Sequence, residues 1–254
     1  MARTSLMRLG LPLVGLAGAL LLWSLGVWQL EKSTPIASAF APLPTALAFR
    51  DMLAGSDIWL HVTLSLQRVA VGLGLAIVIG VPLGVLVAMS KLFSGAAMPL
   101  FQLLRMISPL SWMPIAVMVL GVGDAPVYFL LAFAAVWPIL LNTAAGVARL
   151  DPNWLLLARS LSATRREMVL KVILPGITAD ILTGVRLAIG IIWIVLVPAE
   201  MLGVSAGLGY FILDTRDRLA YSELMAAIVL IGILGFALDY LARAAHARWL
   251  HLKR

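Results

Sequence analysis

The sequence predicts an all-α integral membrane protein, a bundle of six transmembrane helices with both termini in the cytoplasm. Three observations predict it. Of 254 residues, 62% are apolar and only 12% charged, whereas a soluble domain carries about 25% charge. The apolar residues gather into six runs of about 20, each long enough to cross a hydrocarbon core about 30 Å thick. The basic residues sort to one side. Arg3, Arg8, Lys91, Arg149, Arg159, Arg165, Arg166, Lys171, Arg243, Arg248, Lys253 and Arg254 share the side of the termini. Lys32, Arg50, Arg216 and Arg218 lie opposite. Lys and Arg collect in cytoplasmic loops, so the side of the termini is assigned inside.

Each run is justified in turn. Span one, Leu9–Leu30, is longer than the apolar core of a signal peptide. Ala37-Ser38-Ala39 resembles a cleavage site, but the length favours a retained first helix. A polar stretch with Pro35, Pro42 and Pro44 follows. In it Thr45 is expected to cap a short helix over 46–54, which Gly55 ends. Span two is Leu60–Met89, and Lys91 to Gly95 reads as a loop. Span three is Pro99–Leu120, and Gly121 to Pro126 reads as a tight turn. Span four is Val127–Val147. Span five, Gly176–Pro198, follows a mixed segment over 148–174. After a polar stretch from Glu200 to Glu223, span six is Leu224–Ala242. Pro82, Pro109, Pro114, Pro138 and Pro198 interrupt the spans and free carbonyls that need neighbours. Gly80 with Gly84, and Gly184 with Ala188, place small residues on one helix face for close packing. The organisation is 1–58 as first helix and outer segment, 59–245 as membrane domain, and 246–254 as a basic tail.

Composition also excludes. With no cysteine, disulfides, thiolate metal sites and cysteine nucleophiles drop out. The net charge of +7 is dispersed between apolar spans, not gathered on one face, so no nucleic-acid partner is expected. His61, His246 and His251 have no metal-ligand spacing. No catalytic or metal site is expected. A membrane-embedded enzyme and a channel or secondary transporter are the rival readings.

The stretch between spans four and five is the most informative. Asp151-Pro152 is a helix start, a side-chain acceptor followed by a residue with no N–H to satisfy. Thr164 and Glu167 have the spacing of a capping box, which starts a second helix. Two short helices are expected, about 152–161 and 165–173, bent near Ser162, with Pro175 in the first turn of span five. Both carry apolar faces. Those faces can pack on the bundle, lie in the lipid interface or dock a partner. Arg159, Arg165, Arg166 and Lys171 surround the bend.

This stretch resembles the Glu-Ala-Ala loop of binding-protein-dependent ABC permeases. Anchored on Leu174-Pro175, the pattern falls on Leu156, Leu157, Ala158, Ser162 and Val172. Ala158, Leu174 and Pro175 match, Val172 nearly matches, and Leu156, Leu157 and Ser162 depart. The likeness extends over about residues 41–245. It includes Pro42-Leu43-Pro44, the run from His61 to Gly72, and Val81-Pro82-Leu83-Gly84. It continues through Ser108 to Pro114, Trp137-Pro138 to Val147, Thr183 to Ala188 and Ala199-Glu200-Met201-Leu202. The later stretches are similar to the nitrate/bicarbonate/sulfonate/taurine group. The resemblance implies a type I ABC importer permease of a bacterial inner membrane. Such permeases pair with a second permease copy, with ABC ATPase subunits that bind ATP and Mg, and with a periplasmic or lipid-anchored solute-binding protein. Ala158, Arg159, Ser162, Ala163, Thr164, Arg165, Arg166, Leu174 and Pro175 would then belong to the coupling helices. The chain has no Gly-x-x-x-x-Gly-Lys-Ser/Thr phosphate loop, so it cannot supply the ATPase site.

Polar side chains inside spans often line paths. The translocation-path candidates are Ser108, Ser111, Trp112, Asn142, Thr143, Trp193 and Glu200. Interhelical hydrogen bonding explains each equally well. Glu200 is read as a gate or a binding-protein contact. Arg68, Arg105, Asp180 and Arg186 are expected to form ion pairs or to snorkel to the interface.

Overall fold

The computed structural model describes residues 2–252, with side chains described for 13–245, 247 and 248. The side chains of Arg3, Arg8, His246 and His251 lie outside the described residues, as do Lys253 and Arg254. The chain divides into two compact units. One is Met1–Leu60 with Phe211–Gly232, the other His61–Tyr210 with Ile233–Arg254.

In the first unit, α1 (Ala2–Glu31) leads through a 3₁₀ turn, Pro35–Phe40, into α2 (Pro42–Ala54). The Trp23 indole donates to the Phe40 carbonyl at 3.0 Å. Ser222 Oγ donates to the Ala39 carbonyl at 2.9 Å, and the Phe40 and Tyr221 rings meet at 5.3 Å. The expected Thr45 cap is corrected here. The helix starts four residues earlier, at Pro42, whose missing N–H suits a first turn. Thr45 is buried inside the helix, its hydroxyl donating to the Ala41 carbonyl at 2.8 Å.

The second unit is built around α6 (Asp124–Ala148) and α10 (Thr178–Gly203), with α3 (Asp57–Met89) laid against α6. Its core joins Val69 and Ala76 of α3, Leu130, Leu131 and Ile139 of α6, and Ala188, Ile192 and Leu196 of α10. Small residues set the spacing, as their pattern predicts. A Cβ on Gly84 would lie 2.6 Å from the Leu140 carbonyl oxygen, and one on Gly184 would lie 3.0 Å from Ile139 Cα. Larger residues there would wedge the helices apart.

Span three is corrected. Lys91 to Gly95 is not a loop but the start of α4 (Lys91–Met106), and Ser90 caps it by accepting from the Phe93 amide. The chain then breaks. A 3₁₀ turn, Pro109–Trp112, leads into α5 (Met113–Leu120), and the segment beyond the break is bent 91° from α4. The cause is Pro109, which removes a donor and drives Ser108 out of the α region. Ile107 and Ser108 are accordingly extended, with ψ of 128° at each. Among the described residues, five helices are long and apolar enough to cross a membrane, or six if the bent pair counts as one. The fold is all-helical and multi-pass, consistent with the expected class.

After α6 come α7 (Pro152–Ser160), a single turn α8 (Arg165–Glu167), a π-helical stretch Met168–Ile173, and a turn α9 (Leu174–Gly176) that leads into α10. The chain continues as α11 (Leu208–Asp217) and α12 (Tyr221–Leu252).

Candidate coupling site and translocation path

The hairpin between α6 and α10 is assembled by local hydrogen bonds. Asp151 caps α7, its carboxylate accepting from the Asn153 amide at 2.9 Å, with Pro152 in the first turn. The bend is made at Ser162, which adopts φ +56°. Its amide donates to the Arg159 carbonyl, and the Ala163 amide donates to that of Ala158 at 3.0 Å. This is the left-handed closure that commonly ends a helix. A serine there is strained where glycine would not be. The next turn opens with a complete capping box. Thr164 Oγ1 accepts from the Glu167 amide at 3.3 Å, and the Glu167 carboxylate accepts from the Thr164 amide at 3.1 Å. The Thr164 amide, the Lys171 ammonium and the Thr164 hydroxyl together hold the Glu167 carboxyl down at about 2.

One side of the hairpin is anchored. Ala158, Met168, Ile173 and Ile177 form an apolar cluster with Val85 of α3 and Val147 of α6. Leu150 presses on Gly176, where a Cβ would lie 2.7 Å from Leu150 Cδ2. Arg149 pairs with Asp180 of α10. The other side is open. Trp154, Leu157, Ala158, Leu161, Ala163 and Val172 line a groove of about 360 Å³. The Glu167–Lys171 ion pair completes its lining. Arg159 and Arg165 line a second cavity, of about 1070 Å³, against Pro82, Leu86 and Met89 of α3. With Arg166 they are exposed and have no carboxylate partner among the described residues. Leu174 packs against the anchored cluster, and Pro175 follows it in α9. The nine residues singled out for coupling therefore lie in one continuous hairpin.

The seven path candidates do not share one environment. Ser108 and Ser111 are exposed at the break between α4 and α5. Trp112 packs on Phe133, and its indole N–H has no acceptor among the described residues. Asn142 donates to the Pro138 carbonyl at 2.8 Å, a bond within its own helix. Thr143 is buried against Gly84, and its hydroxyl has no partner among the described residues. Trp193 abuts Gly235 of α12, where a Cβ would lie 2.5 Å from Nε1.

Glu200 is wholly buried inside the fold. It accepts from Ser65 Oγ, from the Gly209 amide at 2.9 Å and from Arg68 at 2.6 Å. Arg68 also reaches Asp124 at the start of α6 and the Ala206 carbonyl. Ser65 accepts from the Leu208 amide, and His61 Nδ1 from the Gly207 amide. Ser65, Asp124 and Gly207 were missed in the sequence. The available signal was Arg68 itself, an arginine inside an apolar span that required a counter-charge. Arg68, Asp180 and Arg186 all form ion pairs, the last with Asp239 at 3.8 Å. Arg105 has none among the described residues.

A multi-pass helical chain carrying a capped, cationic hairpin with an open groove has the architecture of a transport subunit driven by another protein. Residues 80–251 match the family described as binding-protein-dependent transport system inner membrane component, and the chain belongs to that family. It is 36% identical over 226 residues to the nitrate import permease protein NrtB of Leptolyngbya laminosa, covering 85% of this chain and 81% of that one. It is 35% identical over 242 residues to the bicarbonate transport system permease protein CmpB of Synechococcus elongatus, covering 90% and 85%. The fold is similar to a chain of the MetNI methionine ABC transporter in inward-facing conformations. That similarity has a TM-score of 0.61 and 17% identity over 72% of this chain and 92% of that one. The chain is thus a permease subunit of an ABC importer and not an enzyme, with ATP hydrolysis in a separate subunit. Membership implies ATPase and solute-binding partners.

Proposed function

We propose that this permease imports a small anion of the nitrate, bicarbonate, sulfonate or taurine class across a bacterial inner membrane. Two copies pair as a homodimer, six spans each, with both termini cytoplasmic. Two ATPase subunits bind ATP and Mg, and a periplasmic or lipid-anchored protein delivers the solute. Residues 59–245 form the membrane domain, preceded by the 1–58 segment and followed by the 246–254 tail. The hairpin over about 152–173 seats in the ATPase. Ala158, Arg159, Ser162, Ala163, Thr164, Arg165 and Arg166 shape that contact, and Leu174-Pro175 passes its motion to α10.

The observation that carries this reading is the hairpin, anchored on the bundle by an apolar cluster while keeping an open apolar groove and exposed arginines. A bend locked by a cap at each end moves as a solid piece and transmits displacement. The anion class is supported by the nitrate and bicarbonate relatives. Ser108, Ser111, Trp112, Asn142, Thr143, Trp193 and Glu200 are the proposed candidates for the path. The test is ATP hydrolysis by the complete transporter in proteoliposomes with its binding protein, across a panel of nitrate, bicarbonate, sulfonates and taurine. Stimulation by one of them with matching uptake is expected. ATP-independent uptake would overturn the reading. A reporter fused to the C-terminus should be active only in the cytoplasm, and an external signal would overturn the topology.

A further inference from the structure

Arg105 is the penultimate residue of α4, about 21 Å along the helix axis from Lys91 at 1.5 Å per residue. Arg105 and Gln102 are both exposed on α4, and an arginine on an apolar membrane segment without a counter-charge is costly and marks a functional place. Arg68, Arg149 and Arg186 each have a carboxylate. Arg105 has none among the described residues. The helix ends one residue later, and the chain turns through 91°. Irregular backbone within a membrane segment is tolerated where it is buried in protein or lines a cavity.

A small cavity of about 50 Å³ lies here, lined by Met98, Phe101, Gln102, Arg105, Trp137 and Leu141. Gln102 and Arg105 are three apart and share a helix face. Trp137 comes from α6. It is only 8% exposed, and its indole N–H has no acceptor among the described residues. The lining is rich in donors and poor in acceptors. The guanidinium fork, the amide NH₂ and the indole N–H can all donate, while only the Gln102 side-chain carbonyl accepts. No carboxylate lines it. The volume suits a group the size of a few water molecules. The Phe101 and Trp137 rings pack 5.7 Å apart at the cavity, and the indole N–H is shielded from solvent.

We propose that Arg105, with Gln102 and Trp137, forms an anion-binding step of the translocation path. The guanidinium fork takes two oxygens of a compact oxyanion. The α4–α5 break, with Ser108 and Ser111 exposed beside it, gives the hydrated approach. This assignment rests on the anion reading above and adds the residues that recognise the charge.

The test uses the complete transporter in proteoliposomes, with nitrate and bicarbonate as probes. The chain has no cysteine of its own, so Arg105→Cys gives one addressable thiol in the permease. Uptake by this variant should fall about tenfold, the loss of one charge-assisted contact. A thiol reagent that attaches an ammonium group should restore much of it, and one that attaches a sulfonate should not. Saturating nitrate should slow the labelling. Equal response to both reagents, or uptake at the wild-type rate, would overturn the site. Should the cysteine variant fail to assemble, Arg105→Lys and Arg105→Gln decide. The lysine must retain clearly more uptake than the glutamine, and equal loss in two assembled complexes would overturn the site. If the wild-type complex takes up no anion, the anion reading fails and takes this site with it. If wild type transports and the variants are neutral, only this site fails.

Discussion

Arg68 Nη1 donates to Glu200 Oε1 at 2.6 Å, with Arg68 4% and Glu200 0% exposed. Arg68 is on α3 and Glu200 near the end of α10. Asp124, at the start of α6, completes the junction from a half-exposed position. Breaking a buried pair leaves one charge stranded. Arg68→Met should therefore destabilise the permease by about 3–5 kcal/mol. Adding Glu200→Gln should recover part of that, because the stranded charge is gone. Thermal unfolding in detergent checks both. A double variant no better than Arg68→Met would show that the cost is not electrostatic.

Gly84 and Gly74 lie on the same helix in opposite circumstances. A Cβ on Gly84 meets the Leu140 oxygen at 2.6 Å and Thr143 Cβ at 2.7 Å, while nothing lies within 4 Å of one on Gly74. Gly84→Ala should cost about 1–3 kcal/mol through overpacking. Gly74→Ala should be neutral or stabilise by up to about 1 kcal/mol, from helix propensity. Melting temperatures of the two single variants make the comparison.

Glu167 titrates at about 2 instead of the ordinary 4.5, held down first by the Thr164 amide. A depressed carboxyl stabilises the fold above its unfolded value, and that contribution is lost as pH falls through the folded value. The capping box should thus remain intact at pH 4. Carboxyl NMR of selectively labelled protein in micelles should show the Glu167 midpoint near 2. Thr164→Ala removes only the hydroxyl contacts, so the midpoint should rise partway. A wild-type midpoint near 4.5 would mean that the box is open in solution.

What could be read in the sequence was what local rules encode. The Asp151 cap, the Ser162 bend and the Thr164–Glu167 box each depend on residues within a few positions, so spacing alone located the hairpin. Gly84 and Gly184 were legible for the same reason. Span three was not. Pro109 marked an interruption, but a proline's position does not state how far the chain beyond it bends, and here it turns through 91°. The burial of Glu200 was not legible because its partners, Ser65 and Arg68, lie over 130 residues away. No spacing rule joins charges that only tertiary packing brings together. Gln102 passed unnoticed because its chemistry emerges only when α4 places it beside Arg105 and Trp137.

In the proposed function the hairpin is the rigid link to the ATPase, and its bend is at Ser162, at φ +56°. Ser162→Gly, which relieves the strained backbone, should preserve transport. Ser162→Trp adds bulk at the bend, beside the open groove. The decisive measurement is uptake and ATP hydrolysis, side by side, in proteoliposomes of the assembled Ser162→Trp transporter. Normal insertion, continued hydrolysis and uptake cut by about tenfold or more are the predicted result. Uptake and hydrolysis both at the wild-type level would contradict it.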